Sequence, residues 1–126
     1  MAIEGDIYDR LASQLGASVA AIYDTTRPEG EVLGALPVVV FQRISSDSTS
    51  VLPGPMALRE TAFQVTVYCS EGFLTAGRAV REAVITALHN YRAGVFKGAR
   101  HVNDFEVPPS EDIPEYQIPI DFTFTT

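Results

Sequence analysis

The chain has 126 residues, 46% hydrophobic and 20% charged, with 16 acidic against 9 basic residues and a formal charge of −7. That size and balance suit one soluble domain, 1–126, and the acidic surplus excludes a protein that grips nucleic-acid phosphates through a basic face. The apolar runs are too short to cross a bilayer, and MAIEGDIYDR lacks the basic start and apolar core of a signal peptide, so the expectation is a protein made in the cytosol with no membrane partner.

Residues 5–16 read as a first helix, with Ile3, Ile7, Tyr8, Leu11 and Leu15 at helical steps and Gly16 as a left-handed stop. Residues 18–23 read as a short extra turn with Val19 and Ile22 facing in, and 25–35, with Pro28, Gly30 and Gly34, as a loop. The first expected strand, 36–45, is apolar at every early position, which predicts cover on both faces until Gln42 and Arg43 emerge toward water. A Pro/Gly loop, 47–58, carries Val51, Leu52, Met56 and Leu58 where prolines exclude a regular ladder.

The second expected strand, 59–69, alternates Phe63, Val65, Val67 and Cys69 against Ala62, Gln64, Thr66 and Tyr68. Ser70 is placed to cap the next helix, whose stripe is Phe73, Ala76, Val80, Val84, Ala87, Leu88 and Tyr91. A third strand is expected within 95–107, a rigid polar turn at 108–112 and a last strand at 115–125. In that last strand Tyr116, Ile118, Ile120, Phe122 and Phe124 share one side, and Pro119 suggests an edge or a bulge. The expected fold is α+β: an antiparallel four-stranded sheet with helices on one face and a long loop between its first two strands.

Little in the chain reads as an active site. His89 and His101 lack an acidic or thiol partner at metal-ligand spacing, and Cys69 lies on an apolar strand face, where free cysteine behaves as a small hydrophobe. No nucleophile elbow, P-loop or dinucleotide fingerprint occurs, and Gly72 and Gly77 lack the Lys of a phosphate cradle. The expectation is therefore no catalytic residues, no cofactor and no metal. Arg78 and Arg81 fall on one helical side, facing either water or a neighbour's acids. The loop 47–58 stands out, because exposed Val51, Leu52 and Met56 cost solubility unless a partner covers them. After Arg100 there is no Lys or Arg, only Asp104, Glu106, Glu111, Asp112, Glu115 and Asp121.

The segments IYDRLAS, LPVVVFQRIS, GPMALRETAFQVTVYCS and FLTAGRAVREAVITAL, taken in this order, resemble the tail-completion (tail terminator-like) family of tailed bacteriophages, also found in prophages and gene transfer agents. The resemblance implies a non-enzymatic virion protein of the tail or neck, assembled in the host cytoplasm. Its relatives are small α+β subunits that form a ring, commonly a hexamer, capping the tail tube and docking to the head connector. Partners would be further copies of itself, the tail tube protein and a connector or stopper protein, with DNA passing through unbound. Candidate ring or tube contacts are Val51, Leu52, Met56, Arg59, Gln64, Thr66, Arg78 and Arg81. Candidate lumen acids are Asp104, Glu106, Glu111, Asp112 and Glu115, whose charge would discourage DNA from sticking. The alternatives are a head-completion (stopper or adaptor) protein, or a small ligand- or peptide-binding module with 47–58 as its lid.

Overall fold

The computed structural model of the chain describes residues 3–28, 33–48, 59–89, 91, 98–111 and 115–125, without the side chains of 3, 45–48 and 59. Its elements run α1 (Ile3–Leu15), β1 (Ala21–Asp24), β2 (Val38–Ser48), β3 (Arg59–Ser70), α2 (Leu74–Leu88), β4 (Gly98–Asp104) and β5 (Glu115–Thr125). The strands form one sheet in the order β1-β2-β3-β5-β4.

The four-stranded antiparallel sheet expected from the sequence needs correction: there are five strands and the sheet is mixed. Residues expected within a turn form β1, which pairs parallel to β2 from Ala21↔Val38 to Asp24↔Phe41. Four residues are too few to display a period, and half-burial of Ala21, Ile22 and Tyr23 leaves no alternation to read. Directly after β1 the Thr26 N–H donates to the Asp24 carbonyl at 2.8 Å, with Thr25 at φ 70° between them. This tight γ-type reversal is strained for a β-branched residue.

β3 lies at the centre, antiparallel to both β2 and β5, and β4 closes the far side against β5. The alternation expected for β3 and β5 is observed. Phe63, Val65, Val67 and Cys69 of β3, with Ile118, Ile120, Phe122 and Phe124 of β5, are all buried on one face. Ile7, Leu11 and Leu15 of α1 and Val80, Val84, Ala87 and Leu88 of α2 complete that core. The apolar start of β2 is covered on both faces as expected, since Val38, Val39, Val40 and Phe41 are all buried.

Several local expectations are tested. Tyr8 and Phe73, placed on helical stripes, are exposed; Phe73 lies in the turn that precedes α2 and not on the helix. Ser70 makes no capping bond to the helix; its hydroxyl donates to the Leu33 carbonyl at 3.4 Å, and α2 is entered through a 3₁₀ turn at Glu71–Phe73. The strand expected within 95–107 is observed over Gly98–Asp104. Pro119 lies in an interior strand and not at an edge. Its carbonyl accepts from the Phe105 N–H at 3.2 Å, so its nitrogen faces the same side. There β4 has ended and only the Val107↔Gln117 bridge follows. The missing donor thus falls in a gap of the ladder.

α2 approaches the sheet closely at Gly77, where a Cβ would lie 2.5 Å from Cys69 Sγ. α1 is fastened at both ends. Arg43 of β2 pairs with Glu4 at 2.7 Å, and Arg10 donates to the Ala87 carbonyl at 2.9 Å while its guanidinium stacks 4.8 Å from the Tyr91 ring centre.

Candidate assembly surface

Helices cover one face of the sheet; the other is covered only in part. Along it run rows of paired residues: Val38, Tyr68 and Gln117; then Val40, Thr66 and Pro119; then Gln42, Gln64, Asp121 and Asn103. In the first row Arg27 lies 4.5 Å over the Tyr68 ring and pairs with Glu115, which draws the chain after β1 across that end. In the second row Thr66 is buried, so this candidate contact is already enclosed by its own chain.

Beyond those rows the face is open. A depression of about 310 Å³ is floored by β3 and β5 and rimmed by Ile44 of β2 and Val102 of β4. Both rim residues occupy bulges, where the pairing slips between Arg43 and Ser45 and between His101 and Asn103. The extra residue has no partner across the ladder, and Ile44 and Val102 are 55% and 54% exposed. On the floor Gln64 donates through Nε2 to Asp121 Oδ1 at 3.1 Å. Sequence reasoning missed both rim residues. Their one signal is an apolar side chain flanked by polar neighbours within a strand, as in Arg43-Ile44-Ser45 and His101-Val102-Asn103.

Arg78 and Arg81, read as contacts for a neighbour, meet an acid of their own chain. Glu106 receives Arg78 through Nε at 2.7 Å and Nη2 at 2.9 Å, a two-pronged grip, and Arg81 Nη1 at 3.2 Å. Hydrogen bonding from Arg78 chiefly, with the charge of both guanidinium groups, holds the Glu106 carboxyl below its ordinary value of 4.5, against a smaller upward push from burial. Cys69 lies beneath this cluster. Burial first, and then the charges of Glu106 and Glu115, push its thiol upward while Arg78 opposes them, so it is a poor nucleophile at neutral pH.

The remaining candidates are dispersed. His101 Nε2 lies 2.9 Å from Asp104 Oδ2, without hydrogen-bond alignment. Glu115 is engaged by Arg27, and Glu111 is exposed. Asp112, Val51, Leu52 and Met56 lie outside the described residues, and of Arg59 only the backbone, paired with Ser48, is described. Among the described residues no group of three or more His, Cys, Asp or Glu is placed to hold a metal, and no helix is long and apolar enough to cross a membrane.

Because Glu106 is held low, its contribution to stability is full above pH 4.5 and is lost as pH falls through its folded value. Glu106→Gln should therefore lower the melting temperature at pH 7 by about 2–4 °C, as expected for a largely exposed ion pair. Melting curves at pH 3 should show a smaller gap between variant and parent. An equal gap at both pH values would remove ionisation of Glu106 from the explanation.

The fold has relatives among solved structures. A chain of the virion of a native gene transfer agent particle superposes with a TM-score of 0.66 at 18% identity, covering 98% of this chain and 93% of its own. A second solved chain gives 0.54 at 15% identity, covering 99% and 91%. At such identities the likeness is one of fold. No curated protein matches significantly. The family described as Tail completion protein gp17 matches residues 5–117, from α1 into β5. The chain belongs to the tail completion protein gp17 family.

Proposed function

We propose that this chain is a structural subunit of a tailed particle, a tail terminator or tail-to-head joining protein working as a closed hexameric ring. The family match over residues 5–117 is the observation that carries this reading. The ring caps the tail tube and docks to the head connector, so its partners are its own copies, the tube protein and a connector or stopper protein. It is assembled in the host cytoplasm and ends in the neck of the virion, without a cofactor and without catalysis.

The geometry supports such a role in two ways. A ring needs two unlike lateral patches per subunit, since head-to-tail contacts generate rotational closure. The open far face and the uncharged segment 49–58, which joins β2 to β3, are such a pair. DNA would pass through a lumen kept negative by some of Asp104, Glu106, Glu111, Asp112 and Glu115. Glu111, exposed, would bear more of that duty than Glu106 or Glu115, whose charges arginines offset. An assembled ring with Glu111 and Asp112 on its outer rim would reject the lumen assignment.

Electron microscopy of particles from cells lacking the gene tests the main reading. DNA-filled heads beside unjoined tails of irregular or excessive length are the expected result. Free tails of normal length would point to a head-completion protein instead. Particles of normal shape would overturn a structural role.

A further inference from the structure

We infer that the depression on the far face of the sheet is the seat for a second copy of this chain, and that its occupant is that copy's segment 49–58. The inference rests on the ring reading above and names the contact that would build the ring.

The seat asks for an apolar occupant. Its rims are Ile44 and Val102, each more than half exposed, and its floor includes Ala62 and Thr123. The two strongest polar groups of the floor, Gln64 and Asp121, already bond to each other. A ligand rich in hydrogen-bonding groups would have to break that bond, whereas an apolar one leaves it intact. An anionic occupant would be repelled by Asp121 and would gain nothing from a rim of Ile and Val.

Segment 49–58 has the matching chemistry. It reads Thr-Ser-Val-Leu-Pro-Gly-Pro-Met-Ala-Leu and carries no charge in a chain of net −7. Two such surfaces approach without the repulsion that two acidic faces would meet. Pro53 and Pro55 lack an N–H, so the segment is ill-suited to extend a sheet by edge pairing and better suited to lie on a face.

The edges are guarded as well. Each rim strand carries a bulge, and on β4 the His101 N–H donates to His89 Nδ1 at 3.3 Å. Both devices oppose addition of another strand. The occupant is taken from a neighbouring copy because a closed ring needs two unlike patches on each subunit. Segment on one copy and seat on the next is a head-to-tail contact, and repetition closes a ring.

The test is photocrosslinking in purified particles from the host that carries the gene, with benzoylphenylalanine in place of Met56. The expected product has the mass of two chains joined between position 56 and a peptide containing Ile44, Val102 or Thr123. In the same experiment Val102→Asp should lower the yield of that product by at least about ten-fold, since a charge would be buried without a partner. Its melting temperature should stay near the parent's because Val102 is exposed. Two-chain products joined elsewhere would overturn the seat and leave the ring standing. A product of one chain's mass, joined internally, would overturn the contact between copies. Absence of the protein from particles would overturn the ring reading and this inference with it.

Discussion

Gly77→Ala is expected to destabilise the folded chain by about 1–3 kcal/mol, and Cys69→Ala in the same chain to recover most of that loss. The added methyl would lie 2.5 Å from Cys69 Sγ and 3.1 Å from its Cβ. Neither atom has room to retreat, since Cys69 is 1% exposed and stands on the central strand between β2 and β5. The helix must move, and it carries Val80, Val84 and Leu88 out of register with the sheet. Cys69→Ala alone removes one buried sulfur and should cost about 1 kcal/mol. In the double variant the methyl meets only a Cβ, a crowding of a few tenths of an ångström, so recovery should be large but incomplete. Urea unfolding of parent, two single variants and the double variant gives the coupling directly. Additive losses would mean that the helix and strand do not touch at this point.

Phe122→Ala should be the costlier change, at about 3–5 kcal/mol, which is a large share of the stability of a domain this size. Phe122 is 1% exposed. It stacks on Phe124 at 6.0 Å, and its ring lies 5.7 Å from that of His101 on the neighbouring strand. Removing it therefore leaves a void between β4 and β5 as well as beneath the helices. A fall in melting temperature of about 10–20 °C is expected by calorimetry. Phe73→Ala and Phe105→Ala, at 43% and 47% exposure, should each stay within about 0.5 kcal/mol of the parent. Comparable losses at all three positions would mean that burial is not what distinguishes these aromatics.

Two kinds of strand were legible in the sequence: β2, whose unbroken apolar start marks cover on both faces, and β3 and β5, whose two sides differ in chemistry. β3 and β5 alternate over their whole length because one side meets helices, and α2 keeps its apolar stripe for the same reason. β1 escaped because a short strand with both sides half-covered has no period to detect. Pro119 misled because its cost depends on what stands opposite its nitrogen, a fact of pairing that no local window contains. The candidate surface follows the same division. The open side of β3 was legible at Gln64, which faces the depression, whereas burial of Thr66 depends on Val40 and Pro119 closing in from strands distant in sequence. Arg78 and Arg81 read as free cations because Glu106 lies 28 and 25 residues further on. The bulges at Ile44 and Val102 depend on the slip of one strand against another, which residue type alone does not encode.

The position of β5 has a consequence for how the protein comes to exist at all. Although it is the last element in chain order, it is inserted between β3 and β4, and neither of those has the other as a neighbour. Until Glu115–Thr125 emerges, β3 holds an open edge beside Phe63, Val65 and Val67, and β4 has nothing to pair with. The sheet therefore cannot close until β5 is available to pair on both of its sides.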